Sequence, residues 1–496
     1  MDAGNDALEI GAALWSIAVG IELTIRITMV GIVPGNRRPT TAMAWLLAIF
    51  FLPVAGLLLY LLFANIKLSR RRIERQRRVN ASILEATQHL SGDTSAPDAP
   101  DWVLSAVQLN RRLGALPLQA GNAVEFITGY KESLDEMRRE IDKARHYVHV
   151  QFYIIGDDEQ YVAPFLEALE RAVARGVKVR VLFDHLGSLR VKGYFSLVRR
   201  MSEAGIKWRR MLPLAPFQRR WRRPDLRNHR KIVVVDGHVA FTGSQNLIEP
   251  GYKRTSAHKI GREWVELMAK IHGPLVTSLD VVFATDWSQE SDEDLLNDLA
   301  VVEEAMTEAP NAGEDLGQVV PSGPGFESEN NLRLFNTLIY SATERLSITS
   351  PYFVPDDSLL YAITTAAQRG VAVELFVCEK GDQALVQHAQ QSYYEALLRA
   401  GVRIYLYKAP AVLHSKCMAV DDDVVVMGSS NMDMRSFSLN LEITLMLLGA
   451  DLVGELMKVQ DIYRANSTEL TLETWSRRTP VNRWIDNVAR LSATLQ

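Results

Sequence analysis

Two short stretches of this chain carry the residue types that phosphoryl chemistry needs. The first, Asn228–Asn246, reads NHRKIVVVDGHVAFTGSQN and holds His229, Lys231 and Asp236, then Gly243, Ser244 and Asn246. The second repeats every spacing with His414, Lys416 and Asp421, then Gly428, Ser429 and Asn431. Residues two apart on a strand project from one face, so each His-x-Lys pair sets an imidazole beside an ammonium. A returning strand would bring the Gly-Ser-x-Asn tail alongside, adding a hydroxyl and a carboxamide. One match to so loose a pattern is usually chance, but coincidence does not readily repeat the same spacings twice.

Two histidines suit the cleavage of a phosphodiester. A neutral imidazole can attack phosphorus and form a covalent phosphohistidine. A second, protonated imidazole can hand its proton to the leaving alkoxide and take one back from an incoming alcohol. Lys231, Lys416, Ser244, Ser429, Asn246 and Asn431 are then the candidates for holding phosphoryl oxygens. Two close imidazoles titrate as a coupled pair, and a carboxylate behind each ring would fix its tautomer. Glu266 in EWVELMAKIHGP and Glu442 in NLEITLML are candidates, since an isolated charge in such apolar stretches is costly. Asp236 and Asp421 complete the HxKxxxxD pattern, yet both fall at turns and read as structural. No metal ligand set shows clear spacing, and the chemistry calls for no cofactor. Cys417 follows the motif lysine, but its neighbours read as a core strand, so it is assigned to packing.

The elements that must position these groups form an internal repeat. Tyr147–Ile155 reads as a strand, Phe165–Gly176 as a helix ending at Gly and Val177–Phe183 as a strand. Leu346–Val354, Leu359–Gly370 and Val371–Val377 repeat that order. A further helix–strand pair precedes each motif, ending at Trp208 and at Tyr405. Alternating strands and helices predict two pseudo-symmetric α/β sandwich halves, 121–290 and 326–496, joined by an acidic linker over 291–325. Within that linker Leu295–Met306 could form an exposed helix. The halves differ in one insertion: Gly205 to His229 spans 24 residues, Gly401 to His414 only 13. The extra length carries Arg219, Arg220, Trp221, Arg222, Arg223 and Arg227, a set suited to phosphates or a membrane surface. At the C-terminal end Trp484, Val488, Leu491 and Leu495 share one helical face, which suits core packing, membrane contact or an oligomer interface, with core packing the default.

Residues 1–66 read as a membrane anchor, followed by a basic juxtamembrane segment and linker over 67–120. Ala42–Phe63 holds 22 residues without a charge, enough for ~33 Å of helix and a bilayer crossing, with Pro53 and Gly56 as candidate kink points that a membrane helix tolerates. Ala7–Val33 is a second apolar segment, in which Glu22 and Arg26 can pair at i and i+4; it either spans or lies in the interface, and a span is favoured. Two crossings make a transmembrane helical hairpin. Lys67, Arg70, Arg71, Arg72, Arg75, Arg77 and Arg78 outweigh Arg37 and Arg38, which places the bulk of the chain on the cytoplasmic side. The net charge of −4 names no partner, and two cysteines make no disulfide framework.

The twin motifs resemble those of the phospholipase D superfamily. With the two-segment N-terminus, EWVELMAKIHGP, SPYFVPDD and GSSNMDMRSFSLNLEITLM, nearly the whole chain is similar to bacterial cardiolipin synthases of that type. The resemblance implies a multi-pass inner-membrane phosphatidyltransferase that joins two phosphatidylglycerols into cardiolipin and releases glycerol. It implies His229 as nucleophile and His414 as acid/base. It also implies carboxylates supplied across the pseudo-two-fold, Glu442 to His229 and Glu266 to His414, although the family often has Asp where Glu266 stands. The partners implied are anionic phospholipid and the bilayer, with no nucleic acid; homo-oligomerisation stays open. A membrane phospholipase D, a transphosphatidylase with another acceptor, and an inactive lipid-binding scaffold are the alternatives.

Overall fold

The computed structural model describes residues 2–35, 39–63, 74, 76–78, 81, 99–213, 225–293, 295, 311–326 and 329–491. The insertion residues Arg219, Arg220, Trp221, Arg222 and Arg223, nearly all of the expected Leu295–Met306 helix, and Leu495 of the C-terminal stripe lie outside the described residues. The chain divides into two units, Met1–Lys67 and Leu68–Gln496.

The anchor differs from its sequence pattern. Helix α1 runs Asp2–Ile32, and its Gly11–Ile32 portion is long and apolar enough to cross a membrane. Arg26 pairs with Glu22 at 3.1 Å, as the i, i+4 spacing requires. The uncharged run after it is not one helix. It forms α2, Pro39–Phe51, and α3, Pro53–Phe63. Pro53 has no N–H to continue the ladder and its ring crowds the preceding turn. Trp45 and Tyr60 meet edge-on with centroids 5.6 Å apart, whereas fifteen residues of straight helix would separate them by about 22 Å. Helix α3 therefore folds back on α2, and Gly56 permits the closeness: a Cβ there would lie 2.6 Å from the Ala48 carbonyl. Helices of 13 and 11 residues are each too short for a ~30 Å hydrocarbon core. Hydropathy sums over the turn at Pro53 and cannot see it.

The second unit is built on one sheet. The first half supplies β1 (Leu118–Ile127), β2 (Tyr147–Phe152), β3 (Lys178–Asp184), β4 (Lys207–Met211), β6 (Ile232–Val235), β7 (Val239–Gly243) and β9 (Met268–His272). The second supplies β10 (Asp315–Ser322), β11 (Arg345–Thr349), β13 (Ala372–Cys378), β14 (Arg403–Tyr407), β16 (Cys417–Val420), β17 (Val424–Gly428), β19 (Asn440–Leu448) and β20 (Ser467–Leu470). From the seam outward the first half runs β1-β9-β7-β6-β2-β3-β4, and the second runs β10-β19-β17-β16-β11-β13-β14-β20. The two orders match strand for strand, except that β20 at the outer edge of the second half has no counterpart in the first. Antiparallel pairing of β1 with β10 fuses the halves into a single sheet.

Helices cover both faces, and the apolar core under the Leu275–Glu290 helix draws residues from both halves, including Ile232, Val234, Val425 and Leu447. The motif strands IVVV and CMAV are buried throughout, which is why they read as continuous apolar runs. Among the described residues five strands have only two residues: β5 (Arg227–Asn228), β8 (Trp264–Val265), β12 (Phe353–Val354), β15 (Val412–Leu413) and β18 (Met432–Asp433). Here β5 pairs with β19 and β15 with β8, so each crosses from one half to the other.

Candidate active site

Each motif histidine immediately follows one of these crossing strands and is held by the opposite half. The His229 N–H donates to the Leu441 carbonyl at 2.8 Å, and the His414 N–H to Val265 at 2.7 Å. The side chains repeat the exchange. His229 Nδ1 lies 3.0 Å from Glu442 Oε2 and 2.9 Å from the Ser429 carbonyl. His414 Nδ1 lies 2.9 Å from both oxygens of Glu266. With Nδ1 committed to a carboxylate, Nε2 is the edge each ring presents for chemistry.

The Gly-Ser-x-Asn tails act behind the rings. Ser244 Oγ donates to Glu266 at 2.6 Å and accepts from the Leu267 N–H; Ser429 Oγ donates to Glu442 at 2.5 Å and accepts from the Ile443 N–H. These hydroxyls orient carboxylates, which corrects their expected place on the phosphate. The preceding glycines are fixed by close approach: a Cβ on Gly243 would sit 2.3 Å from the Leu267 carbonyl, and one on Gly428 2.2 Å from that of Ile443. The asparagines diverge. Asn246 spends its amide on the Ile154 N–H and the Tyr252 hydroxyl, at 3.2 and 2.9 Å. The Asn431 Oδ1 is buried without a protein partner among the described residues.

Asp236 and Asp421 are not at the site. Asp236 accepts from the N–H groups of Arg145, His146 and Tyr147 at 2.7, 2.8 and 2.7 Å. Asp421 takes those of Thr343, Glu344 and Arg345, each at 2.8 Å. They pin the starts of β2 and β11, as the turn positions indicate, and they leave the catalytic group in which the motif places them.

Charge in the site is dense and enclosed. Lys231 and Lys416 each donate to the carbonyl of their own motif histidine at 2.5 Å. Burial pushes Lys231 down to about 7 and Lys416 to about 8, against the pull of both glutamates. Burial also holds His229 at about 4, despite Glu442, and lowers His414 despite Glu266. Burial alone would raise the glutamates, but the facing histidines and lysines bring Glu266 to about 2 and lower Glu442 as well. Cys417, pushed up to about 12 by burial, is a neutral packing thiol.

Several residues here escape sequence reasoning. Tyr153 stands edge-on to His229 at 5.0 Å, and Tyr252 and Tyr352 flank His414 at 6.1 and 6.3 Å. Tyr153 follows β2 and Tyr352 follows β11, so extending the repeat upstream of the motifs would have found both. Tyr252 donates to Glu266 at 3.1 Å, where Asn440 donates to Glu442 at 3.1 Å. Arg230, between His229 and Lys231, ties Asp286 at 2.6 Å to the Glu442 carbonyl at 2.9 Å. Arg227, expected to meet phosphates, is instead a buried partner of Asp184 at 3.1 Å.

A family model described as cardiolipin synthase, PLD-like domain, matches residues 137–287 and 335–461, and so covers both histidines and both glutamates. The chain belongs to the cardiolipin synthase family of phospholipase D-like proteins. The phospholipase D-nuclease N-terminal model matches residues 23–65 of the anchor. Cardiolipin synthase A of Proteus mirabilis (strain HI4320) is 35% identical over 484 residues, 96% of this chain and 95% of that protein. Cardiolipin synthase A of Yersinia pseudotuberculosis serotype O:1b is 36% identical over 472 residues, 94% of this chain and 93% of that one. Among solved structures, phosphatidylserine synthase of Haemophilus influenzae Rd KW20 superposes with a TM-score of 0.59 at 16% identity, covering 78% of this chain and all but 1% of that one (99%). That likeness concerns the fold.

Proposed function

We propose that this chain is an inner-membrane phosphatidyltransferase that converts two phosphatidylglycerols into cardiolipin and glycerol. The observation that carries the reading is the reciprocal pairing of two buried imidazoles with Glu442 and Glu266 of opposite halves. His229, neutral at pH 7, attacks phosphorus through Nε2. The bond to the headgroup glycerol breaks, and that oxygen takes a proton from His414 Nε2. The headgroup hydroxyl of a second phosphatidylglycerol then attacks phosphorus, returns a proton to His414 and expels His229. One diester replaces another, so no nucleotide donor enters. Lys231 and Lys416 balance the phosphate charge. The incoming anion in turn favours a protonated His414, whose resting proton affinity burial has reduced. An enclosed, tyrosine-walled site favours the acceptor lipid over water.

Incubating the purified chain with phosphatidylglycerol tests this. Cardiolipin with equimolar glycerol is expected. Phosphatidic acid would indicate a hydrolase, and absence of turnover an inactive scaffold.

Charge also suggests a topology. With α1 crossing once and α2–α3 entering and leaving by one face, Arg37 and Arg38 share the cytoplasmic side with the Lys67–Arg78 cluster. The acidic start, with Asp2, Asp6 and Glu9, then lies outside. Two full crossings would strand Arg37 and Arg38 there. An impermeant maleimide applied to intact spheroplasts should label Asp6→Cys; labelling only after lysis would refute this arrangement.

A further inference from the structure

The C-terminal helix Pro480–Arg490 is packed inside out. Thr479 caps it and Pro480 occupies its first turn. Val481, Trp484, Val488 and Leu491 recur at helical spacing and form one stripe. Such a stripe normally faces the core, yet these residues are 65%, 67%, 45% and 81% exposed. The buried face carries Asp486 and Ala489 instead. Asp486 is clamped by Arg478 and by the ring of His388, 2.8 Å away on the Ala384–Gln391 helix. A polar clamp on the inner side thus holds the helix with its apolar side outward.

The flanks of the stripe are basic. Arg477, Arg483 and Arg490 are exposed. Over residues 473–491 there are four arginines (477, 478, 483, 490) against two acids, Glu473, which pairs with Arg477, and the buried Asp486, a net of +2. Trp at the centre of an exposed stripe bordered by arginines is the composition of a helix lying in the headgroup region of an anionic bilayer. A second copy would meet the same net positive surface, which opposes self-association on this face. The underlying helix begins two residues after Asp382, whose carboxylate accepts from the Tyr352 hydroxyl at 2.7 Å beside His414. The helix that clamps Asp486 therefore starts beside the wall of the site.

We propose that the Pro480–Arg490 helix is a bilayer-docking element, with Val481, Trp484, Val488 and Leu491 at the acyl boundary and Arg477, Arg483 and Arg490 on lipid phosphates. It binds anionic phospholipid as a surface, separately from the substrate held between the histidines.

The test uses the full chain reconstituted in vesicles, with Val488→Cys carrying an environment-sensitive fluorophore; Cys378 and Cys417 are buried. In vesicles containing phosphatidylglycerol the label should shift to the blue and be quenched by lipids brominated on the acyl chain. Quenching should weaken in neutral phosphatidylcholine vesicles and at high salt. A label open to iodide and untouched by brominated lipid overturns the proposal. So does shielding that rises with protein-to-lipid ratio irrespective of lipid charge, which identifies a second copy. The Trp484→Ser/Leu491→Ser variant should turn over vesicle phosphatidylglycerol about tenfold or more slowly, as expected for losing large buried side chains. Its rate on a short-chain substrate dispersed in detergent should be unchanged. Equal rates on vesicles, or equal losses on both substrates, overturn the proposal. Fluorophore depth is read without turnover, so a failure of the assigned reaction would show separately.

Discussion

Replacing Glu442 by Gln isolates the charge behind His229. The two residues are buried, with Nδ1 and Oε2 3.0 Å apart, and Glu442 is held ionised mainly by His229, then by Lys231 and Ser429, against the effect of burial. As the N–P bond forms, the ring becomes cationic, so the carboxylate stabilises the transition state more than the resting neutral ring. At an effective dielectric of ~20 the direct Coulomb energy at this separation is about 5 kcal/mol, an upper bound. A charge-assisted hydrogen bond nets about 1.5–3 kcal/mol. Gln keeps an acceptor and the volume but loses the charge. A loss of about 3 kcal/mol corresponds to roughly 150-fold slower phosphoenzyme formation. Rapid-quench single turnover with headgroup-labelled phosphatidylglycerol reads that step as glycerol release. Circular dichroism and thermal unfolding confirm the fold, and lipid binding should hold because Glu442 lies behind the ring. A loss of threefold or less in a folded protein would refute the idea that this carboxylate compensates a cationic intermediate.

The two histidines should separate when the leaving group no longer needs a proton. With a p-nitrophenyl phosphodiester lipid, His414→Ala should keep its first burst of p-nitrophenol while losing roughly 10³-fold or more on phosphatidylglycerol. His229→Ala should show no burst; the reverse pattern would exchange their roles. Because Lys231 titrates near about 7 and Lys416 near about 8, kcat/KM should fall as pH rises through that window, where His414 is also least protonated. A rate that climbs from pH 7 to 9 would contradict this. On the acid side, His229 at about 4 binds a proton less readily folded than unfolded. Its effect on stability is therefore a loss as pH falls from ~6.5 towards 4, measurable by denaturant titration. Asp236→Ala removes an acceptor for three backbone N–H groups and should cost about 2–3 kcal/mol of stability. Its kcat at low temperature should stay within threefold of the parent, whereas a catalytic aspartate would lose far more.

Much of this site is written in local patterns. The buried strand after each motif and the Asp turn follow from alternation and turn chemistry, whereas His-x-Lys itself lies in the short connection between two strands and not on a strand. The duplication is legible because both copies keep their spacings. What sequence order hides is partnership across the seam. Nothing local pairs Glu442 with His229 some 200 residues away (|i−j| is 213); only family resemblance supplied that. The same blindness assigned Ser244 and Ser429 to the phosphate, since spacing does not reveal which side of the carboxylate a hydroxyl occupies. Arg227 reads as one more cation in a basic run because its buried partner, Asp184, lies in another strand. Two apolar patterns also depend on tertiary structure. Ala42–Phe63 has the hydropathy of a span but doubles back at Pro53, and the Trp484 stripe has the period of a core helix but faces out. Periodicity fixes which residues share a face, and a single clamp such as Asp486 decides where that face points.

The crossing strands β5 and β15 have a consequence for how such an enzyme can change over time. A ring seated by a neighbouring repeat would be seated equally well by a second identical chain, so the same pocket could be built by a symmetric pair of single-repeat proteins. In that arrangement every substitution appears twice, and proton donor and nucleophile must have the same surroundings. Covalent fusion lifts that constraint. The chain already uses the freedom where a phenol completes the shell of Glu266 and a carboxamide that of Glu442, so two equivalent ancestors can specialise into unlike halves of one reaction.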